Sequence, residues 1–150
     1  MFEIIRQSES NTCMACVMAM LVHESEQYVL EWFEYIDPPF HDEDMVIFLA
    51  HHGIFLSMGF DLSNINALTK EELTDININI NLDGRPAYMS VKSRTEGIYH
   101  AVLWDGYMIL DPLYDDPQPL ENYVVDVVYP MMITKIRYEK LMEGKNDSRS

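Results

Sequence analysis

A long apolar run follows a polar segment near the start of the chain. Residues 7–12 are mostly polar, whereas residues 13–22 are apolar without interruption. Asn11 and Thr12 are both residue types that cap helix N-termini. A helix that is apolar on every side is usually buried in the centre of a domain. The pattern therefore predicts a central buried helix that begins at Cys13.

Further helical segments follow in the first half of the chain, and each begins with a polar cap or an acidic first turn. They cover about residues 26–36, 42–52 and 69–72. Asp37-Pro38-Pro39 is expected to end the first of them, because proline cannot continue a helix. Gly53 is a natural C-cap for the second. The N-terminal half is thus predicted to be helical, with residues 2–6 as an extended lead-in.

The pattern becomes strand-like near residue 75. Residues 76–80 alternate strictly between isoleucine and asparagine, which is typical of a half-buried strand. Other β-rich runs cover residues 85–91, 99–104, 107–110 and 123–133. Asp105-Gly106 between two of these runs is a strong hairpin signal. Helices followed by strands predict an α+β fold with an antiparallel sheet in the C-terminal half.

Length and composition indicate one globular domain. The chain has 150 residues, of which 48% are hydrophobic and 23% charged, enough to form a core without staples. We expect a single domain over residues 1–138 and a charged flexible tail over residues 139–150. No apolar run reaches the roughly 20 residues of a membrane span, and the N-terminus does not resemble a signal peptide. Two cysteines do not make a disulfide framework, so we expect a cytoplasmic location with reduced thiols.

The formal net charge of -15 restricts the possible partners. Nucleic acids and anionic membranes both require a basic face, so neither is an expected partner. A protein or peptide is the expected partner instead, and a basic one would suit the charge. We expect no cofactor and no metal ion. The oligomeric state is unknown from the sequence.

Cys13 is the candidate nucleophile. A cysteine attacks as the thiolate, and an ordinary pKa of about 8.5 leaves little thiolate at neutral pH. The N-terminus of a helix favours the anion through its dipole and free N–H groups. The alternative is that Cys13 is a small buried hydrophobic residue. Cys16, one turn later, is predicted to lie in the core, since a redox dithiol lacks its βαβ unit and a structural zinc lacks a second cysteine pair.

His100, Asp111 and Gln7 are candidates for the remaining catalytic roles. A two-residue turn at Asp105-Gly106 would place His100 opposite a residue near Asp111, whose carboxylate could hold the imidazole in one tautomer. The side-chain amide of Gln7 can donate to a developing oxyanion, with the backbone N–H of Cys13 as the second donor. The alternatives are a core histidine satisfied by a hydrogen bond and an exposed loop glutamine.

These residues resemble the motifs of the double-glycine leader peptidases that are fused to ABC exporters, within the papain-like cysteine peptidases. The resemblance covers about residues 7–112. Its parts are Gln7 six residues before Cys13, the second cysteine Cys16, the helix end at residues 50–54, the Gly-Arg-Pro-Ala segment at 84–87, and the block from His100 to Asp111-Pro112.

The resemblance implies a papain-like fold and assigns the roles within the site. By this resemblance Cys13 is the nucleophile, Gln7 supplies the oxyanion hole, His100 is the base, Asp111 orients it, and Cys16 is structural. The chain departs from the family at two neighbouring positions, where Met14 replaces a common glycine and Thr12 an acidic residue. No transporter follows in this sequence, so leader processing coupled to export is not expected.

The sequence therefore predicts a cysteine hydrolase that cleaves a peptide or isopeptide bond in a protein substrate. Two alternatives stay open. One is an acyltransferase of transglutaminase-like type, which would use the same triad with an amine as acceptor. The other is a non-catalytic acidic protein that binds a basic partner, and this binding would weaken with salt and would not need Cys13.

Overall fold

The computed structural model has an α+β fold and describes residues 2–57, 59–62, 69–75, 82–133, 139 and 143. Its helices are α1 (Cys13–Val22), α2 (Glu26–Trp32), α3 (Asp42–His51) and α4 (Lys70–Asp75). Its strands are β1 (Ile54–Leu56), β2 (Phe60–Asp61), β3 (Ala87–Lys92), β4 (Tyr99–Trp104), β5 (Ile109–Leu110) and β6 (Val125–Ile133). The predicted strand at 76–80 and nearly all of the predicted tail lie outside the described residues.

The strands of the described ranges form a six-stranded antiparallel sheet in the order β1-β6-β3-β4-β5, with β2 paired to β6 as well. Both β1 and β2 pair with β6. The predicted antiparallel sheet is therefore confirmed, but it also takes two strands from the half of the chain that was predicted to be helical. These strands contain three and two residues, too few for a period-2 pattern to be recognised.

α1 lies at the centre of the helical layer and packs against one face of the sheet. Every residue from Ala15 to Val22 is buried, which confirms the predicted central helix. Ala101, Leu103 and Leu110 of the sheet belong to the same apolar cluster, and α2 and α3 contact α1 as well. Because β4, α2 and α3 contact α1 on several sides, a polar face on this helix would be buried away from water.

The opposite face of the sheet carries a second apolar cluster. Val102, Trp104 and Ile109 belong to it, together with loop residues such as Leu82 and Leu120. The indole Nε1–H of Trp104 donates to the carbonyl oxygen of Leu82 at 2.8 Å. Residues 101–104 of β4 are thus buried on both faces of the sheet, which explains why this part of the strand is apolar without alternation.

The helix boundaries agree with the sequence except at the ends of α2 and α4, and α4 continues to Asp75, three residues beyond the predicted end at 72. α2 ends at Trp32, four residues before the predicted end at 36, and a turn continues the chain. α3 ends as predicted, with Gly53 at a φ of 78° in the left-handed region. The sequence Thr69-Lys70-Glu71-Glu72 has the form of a capping box, and the structure contains it. The Thr69 N–H donates to Glu72 Oε2 at 3.0 Å, and the Glu72 N–H donates to Thr69 Oγ1 at 3.1 Å. In the described ranges, no helix combines the length and apolar character that crossing a bilayer requires.

The hairpin between β4 and β5 differs from the predicted one by two residues. Leu103 pairs with Leu110, so the loop contains residues 105–108 and the predicted two-residue loop is wrong. Side chains alternate between the faces of a sheet with a period of two, so a shift of two residues preserves the face of each. His100 and Asp111 therefore still project to one side.

Asp105 explains the longer loop. Its Oδ1 accepts the N–H groups of Tyr107 and Met108, each at 2.8 Å. A side-chain oxygen that binds the N–H two residues later is the Asx-turn geometry. Gly106, inside this turn, has a φ of 107°, which few other residue types adopt.

Gly106 generates a stability prediction. A Cβ at this position would lie 2.7 Å from the carbonyl carbon of Gly84. We expect Gly106→Ala to lower the free energy of unfolding by about 3 kcal/mol, because backbone strain adds to a clash with backbone atoms. Gly97 also has a positive φ, but a Cβ there would meet no described atom within 4 Å. Gly97→Ala is therefore the matched control, with an expected loss of about 1 kcal/mol. Equal losses in urea denaturation would contradict the clash.

Candidate active site

Cys13 lies where the N-terminus of α1 meets β4. It is the first residue of the helix, and its Sγ accepts the backbone N–H of Ala101 at 3.5 Å. β5 pairs with Leu103 and Trp104, so among the described strands none continues along this edge of β4 as far as Ala101. The thiol occupies the position that a further strand residue would take. Helix α1 and strand β4 together fix the sulfur.

The imidazole of His100 is bound to a buried carboxylate. His100 Nε2 lies 2.6 Å from Asp111 Oδ1, and Asp111 is 1% exposed. Asp111 Oδ1 also accepts the N–H of Leu113 at 2.9 Å, and its Oδ2 accepts the hydroxyl of Tyr123 at 2.7 Å. A buried carboxylate needs such donors to remain ionised. The orientation of the His100 ring is therefore fixed by a carboxylate that is itself held in place.

The pKa shifts of these groups favour a thiolate–imidazolium pair. Burial raises the pKa of Cys13, but the hydrogen bonds with His100, Ala101 and Met14, together with the charge of His100, lower it below its usual value. Burial lowers the pKa of His100, but the bonds with Asp111 and Cys13 raise it to about 9. Burial raises the pKa of Asp111, but its donors lower it below the usual value. Because Nε2 of His100 is bound to Asp111, Nδ1 is the nitrogen left for the thiol.

Gln7 lies beside the loop that follows Asp111. Its backbone N–H donates to the carbonyl oxygen of Pro112 at 3.1 Å. Its side-chain Nε2 donates to the carbonyl oxygen of Glu9 at 2.9 Å. This bond lies within the loop that precedes α1. The Oε1 of Gln7 is buried and has no hydrogen-bond partner among the described residues. An amide nitrogen carries two protons, so one N–H remains for another acceptor.

Cys16 differs from Cys13 although it lies one turn away. Its exposure is 0%, which confirms the prediction that it lies in the core. Its thiol lies 3.0 Å from Oε2 of Glu26. Burial raises the pKa of Cys16, and the carboxylate of Glu26 raises it further. Cys16 is therefore held as a neutral thiol.

Two residues of the site had no signal in the sequence. In the sequence, Tyr123, which binds Asp111, is one residue of a β-rich run, and Glu26 is the first residue of a predicted helix. Both act through tertiary contacts, which local patterns do not reveal. An acidic residue in a first helical turn is ordinary, because it suits the helix dipole.

Other histidines and acidic residues do not form a metal centre in the described part of the chain. There, no group of three His, Cys, Asp or Glu side chains is arranged to hold a metal ion. His52 instead bonds the carbonyl oxygen of Phe48 through Nδ1 at 2.7 Å and the hydroxyl of Tyr28 through Nε2 at 2.9 Å. It thus fastens the end of α3 to α2.

Comparison with known proteins gives one informative likeness. The fold is similar to that of a peptidase. A double glycine motif protease from an AMS/PCAT transporter, solved in complex with the leader peptide, matches with a TM-score of 0.60 and 14% identity. The match covers 89% of this chain and 93% of that chain. No family model and no curated protein sequence matches this chain. The resemblance found in the sequence is thus confirmed at the level of the fold.

The reactivity of Cys13 tests the ion pair. We expect iodoacetamide to modify Cys13 well below the pH range of an ordinary thiol, because His100 stabilises the thiolate. His100→Ala should move the alkylation profile to higher pH. His51→Ala, which removes an exposed histidine of α3, should leave it unchanged. Mass spectrometry of the modified peptide distinguishes Cys13 from Cys16. Identical profiles for all three proteins would contradict the ion pair.

Removal of the Tyr123 hydroxyl tests the support of Asp111. Tyr123→Phe should lower the free energy of unfolding by about 2 kcal/mol at neutral pH, because a buried charged oxygen loses a donor. Tyr99 is 51% exposed, so Tyr99→Phe should change stability by less than about 0.5 kcal/mol.

The loss in Tyr123→Phe should also depend on pH in a definite direction. The hydroxyl helps to depress the pKa of Asp111 below its usual 3.8. Its stabilisation is therefore present above that value and disappears as the pH falls through the folded-state pKa. Denaturation curves measured between pH 7 and pH 2 should show the difference from wild type shrinking. A difference that grows in acid would contradict this account.

Proposed function

We propose that this protein is a papain-like cysteine peptidase that cleaves a peptide bond in a peptide or protein substrate. The observation that supports this function is the connected series of the Cys13 thiol, the His100 imidazole and the buried Asp111 carboxylate. A nucleophile, a base and a group that orients the base are the parts required for nucleophilic acyl chemistry. The similarity of the fold to a peptidase supports hydrolysis as the reaction.

In the proposed reaction, Cys13 Sγ attacks the carbonyl carbon of the scissile bond and forms a tetrahedral adduct. His100 donates its Nδ1 proton to the leaving amine, the C–N bond breaks, and a thioester remains on Cys13. Neutral His100 then takes a proton from the water that attacks the thioester, and the acid product and thiolate separate. Asp111 holds Nε2 of His100 in both steps.

Two donors are proposed for the oxyanion. The backbone N–H of Cys13 is at the first position of α1, where helical N–H groups have no partner within the helix. The second donor is the N–H of the Gln7 amide that does not bind Glu9. One such donor contributes about 3 kcal/mol to the transition state.

The substrate is proposed to be a peptide that contains a double-glycine motif. The solved protease of similar fold is described as a double glycine motif protease, and its structure was solved in complex with the leader peptide. The net charge of -15 favours a peptide with basic residues. We place the reaction in the cytoplasm, where the thiols of Cys13 and Cys16 stay reduced.

A fluorogenic peptide that ends in Gly-Gly-aminocoumarin tests the proposed roles. We expect Cys13→Ala and His100→Ala to lower kcat/KM at least about 1000-fold, because the nucleophile or its base is lost. Gln7→Ala should lower it about 100-fold through the loss of one oxyanion donor. Gln27→Ala is the matched control, since this exposed glutamine binds Glu31 on the surface of α2, and it should keep wild-type activity.

The same assay separates the proposed function from its rivals. Full activity in Cys13→Ala would contradict the proposal that the protein is a cysteine peptidase. A product that carries an added amine, detected by mass, would instead indicate acyl transfer. Binding of a basic peptide without cleavage, unaffected by Cys13→Ala, would indicate a non-catalytic binding protein.

A further inference from the structure

We propose that Glu26 is a positioning residue for this site. Its carboxylate ties the loop and the helical turn that carry Gln7 and Cys13 to helix α2, and thereby holds both side chains in the geometry that cleavage requires. This inference rests on the proposed function and adds a residue that no sequence motif contains.

The Glu26 carboxylate accepts hydrogen bonds from one short stretch of chain. Its two oxygens accept from the segment 8–16, which includes the loop before α1 and the first turn of that helix. Oε2 accepts from Ser8 N at 2.9 Å, from Thr12 Oγ1 at 3.0 Å and from Cys16 Sγ at 3.0 Å, and Oε1 accepts from the Ser8 hydroxyl. A single side chain of α2 thus fastens both ends of the loop and the helix that follows.

The anchored residues are the immediate neighbours of the proposed catalytic groups. Ser8 follows Gln7, and Thr12 precedes Cys13. The loop between them has no regular secondary structure. Displacement of a loop of this kind by about 1 Å is sufficient to reduce catalysis about 100-fold. Hydrogen bonds that Glu26 accepts from both ends of the loop therefore control the distance between Gln7, the proposed oxyanion donor, and Cys13, the proposed nucleophile.

The Thr12 side chain binds Glu26 and does not cap α1. Thr12 is the N-cap residue of α1, yet its side chain forms no capping hydrogen bond with the described helix. Its single hydroxyl proton lies between the carbonyl oxygen of Glu9 at 3.1 Å and Glu26 at 3.0 Å. The carboxylate of Glu26 replaces the cap as the group that fixes the start of the helix.

The side chain of Glu26 is not needed by its own helix. The hydroxyl of Ser25 caps α2, since it accepts the N–H of Tyr28 at 3.0 Å. An acidic residue in a first turn usually interacts with the N-terminus of its own helix. Here the carboxylate reaches across to α1 instead, so a role in α2 alone does not explain its contacts.

The charge states of the network are consistent with this role. Burial raises the pKa of Glu26, but the hydrogen bonds from Ser8, Cys16 and Thr12 lower it below the usual value. Glu26 therefore stays ionised near neutral pH and accepts all of these bonds. Cys16 stays a thiol and donates, so it does not compete with Cys13 for His100 or for substrate.

Glu26→Gln is the decisive variant, because it keeps the side-chain size and removes one acceptor oxygen and the charge. We expect kcat on the Gly-Gly-aminocoumarin peptide to fall about 10-fold to 100-fold, with KM changed less than about threefold, because orientation is lost and substrate contacts are not. Glu31→Gln is the matched control on the same helix. Glu31 is exposed and binds Gln27, and this variant should keep wild-type kcat and KM.

The outcome that overturns the proposal is a merely structural effect. If Glu26→Gln melts at a lower temperature but keeps wild-type kcat, KM and Cys13 alkylation rate well below its melting point, Glu26 does not position the site. If Glu26→Gln does not fold, Ser8→Ala and Thr12→Val remove single donors instead. Each should lower kcat about fivefold, and wild-type kcat in both would likewise overturn the proposal.

A failure of the proposed function is distinguishable from a failure of this inference. If the wild-type protein cleaves no peptide, the peptidase proposal fails, but alkylation of Cys13 by iodoacetamide remains measurable. At about pH 6, slower alkylation in Glu26→Gln than in Glu31→Gln supports positioning of the thiol beside His100. Equal rates in the two variants would overturn the inference whatever the activity.

Discussion

The buried carboxylate of Asp111 is the constraint on which the site and one edge of the sheet depend. An ionised carboxylate without donors is very costly in a protein interior, and Asp111 avoids that cost through His100, Leu113 and Tyr123. These donors come from β4, from the loop after β5 and from the segment before β6. Removal of one partner from a buried pair costs about 3–5 kcal/mol. The charge therefore fixes the mutual position of three chain segments as well as the orientation of one imidazole.

The two cysteines show how surroundings, and not spacing, decide the chemistry of a thiol. Cys13 meets donors, the N–H of Ala101 and the imidazole of His100, and these lower its pKa. Cys16, one turn along the same helix, meets an acceptor, the carboxylate of Glu26, which together with burial raises its pKa. Opposite partners on one helix thus separate the proposed nucleophile from a structural thiol.

Elements with strong local patterns were predictable, whereas features made by tertiary contacts were not. The start of α1 at Cys13 follows from an unbroken apolar run, and the limits of β4 follow from the β-rich residues 99–104 that precede the Asp105-Gly106 turn signal. The partnership of His100 with Asp111 was predicted from a wrong register, and it survived because the error was a shift of two residues. Strand β1 is too short to show a period, and its only partner in the described sheet, β6, lies far along the chain.

The start of α1 departs from the usual rules of helix termini at the same place where the proposed chemistry is located. A helix without a side-chain cap loses about 1 kcal/mol, and the Thr12 hydroxyl is directed to Glu9 and Glu26 instead. The first N–H groups of α1 are then left for an anion, and the N–H of Met14 is among the groups that lower the pKa of Cys13. Natural sequences break such local rules chiefly at functional sites. The uncapped helix start is thus a further argument, besides the proposed triad, for the proposal that the function is located at Cys13.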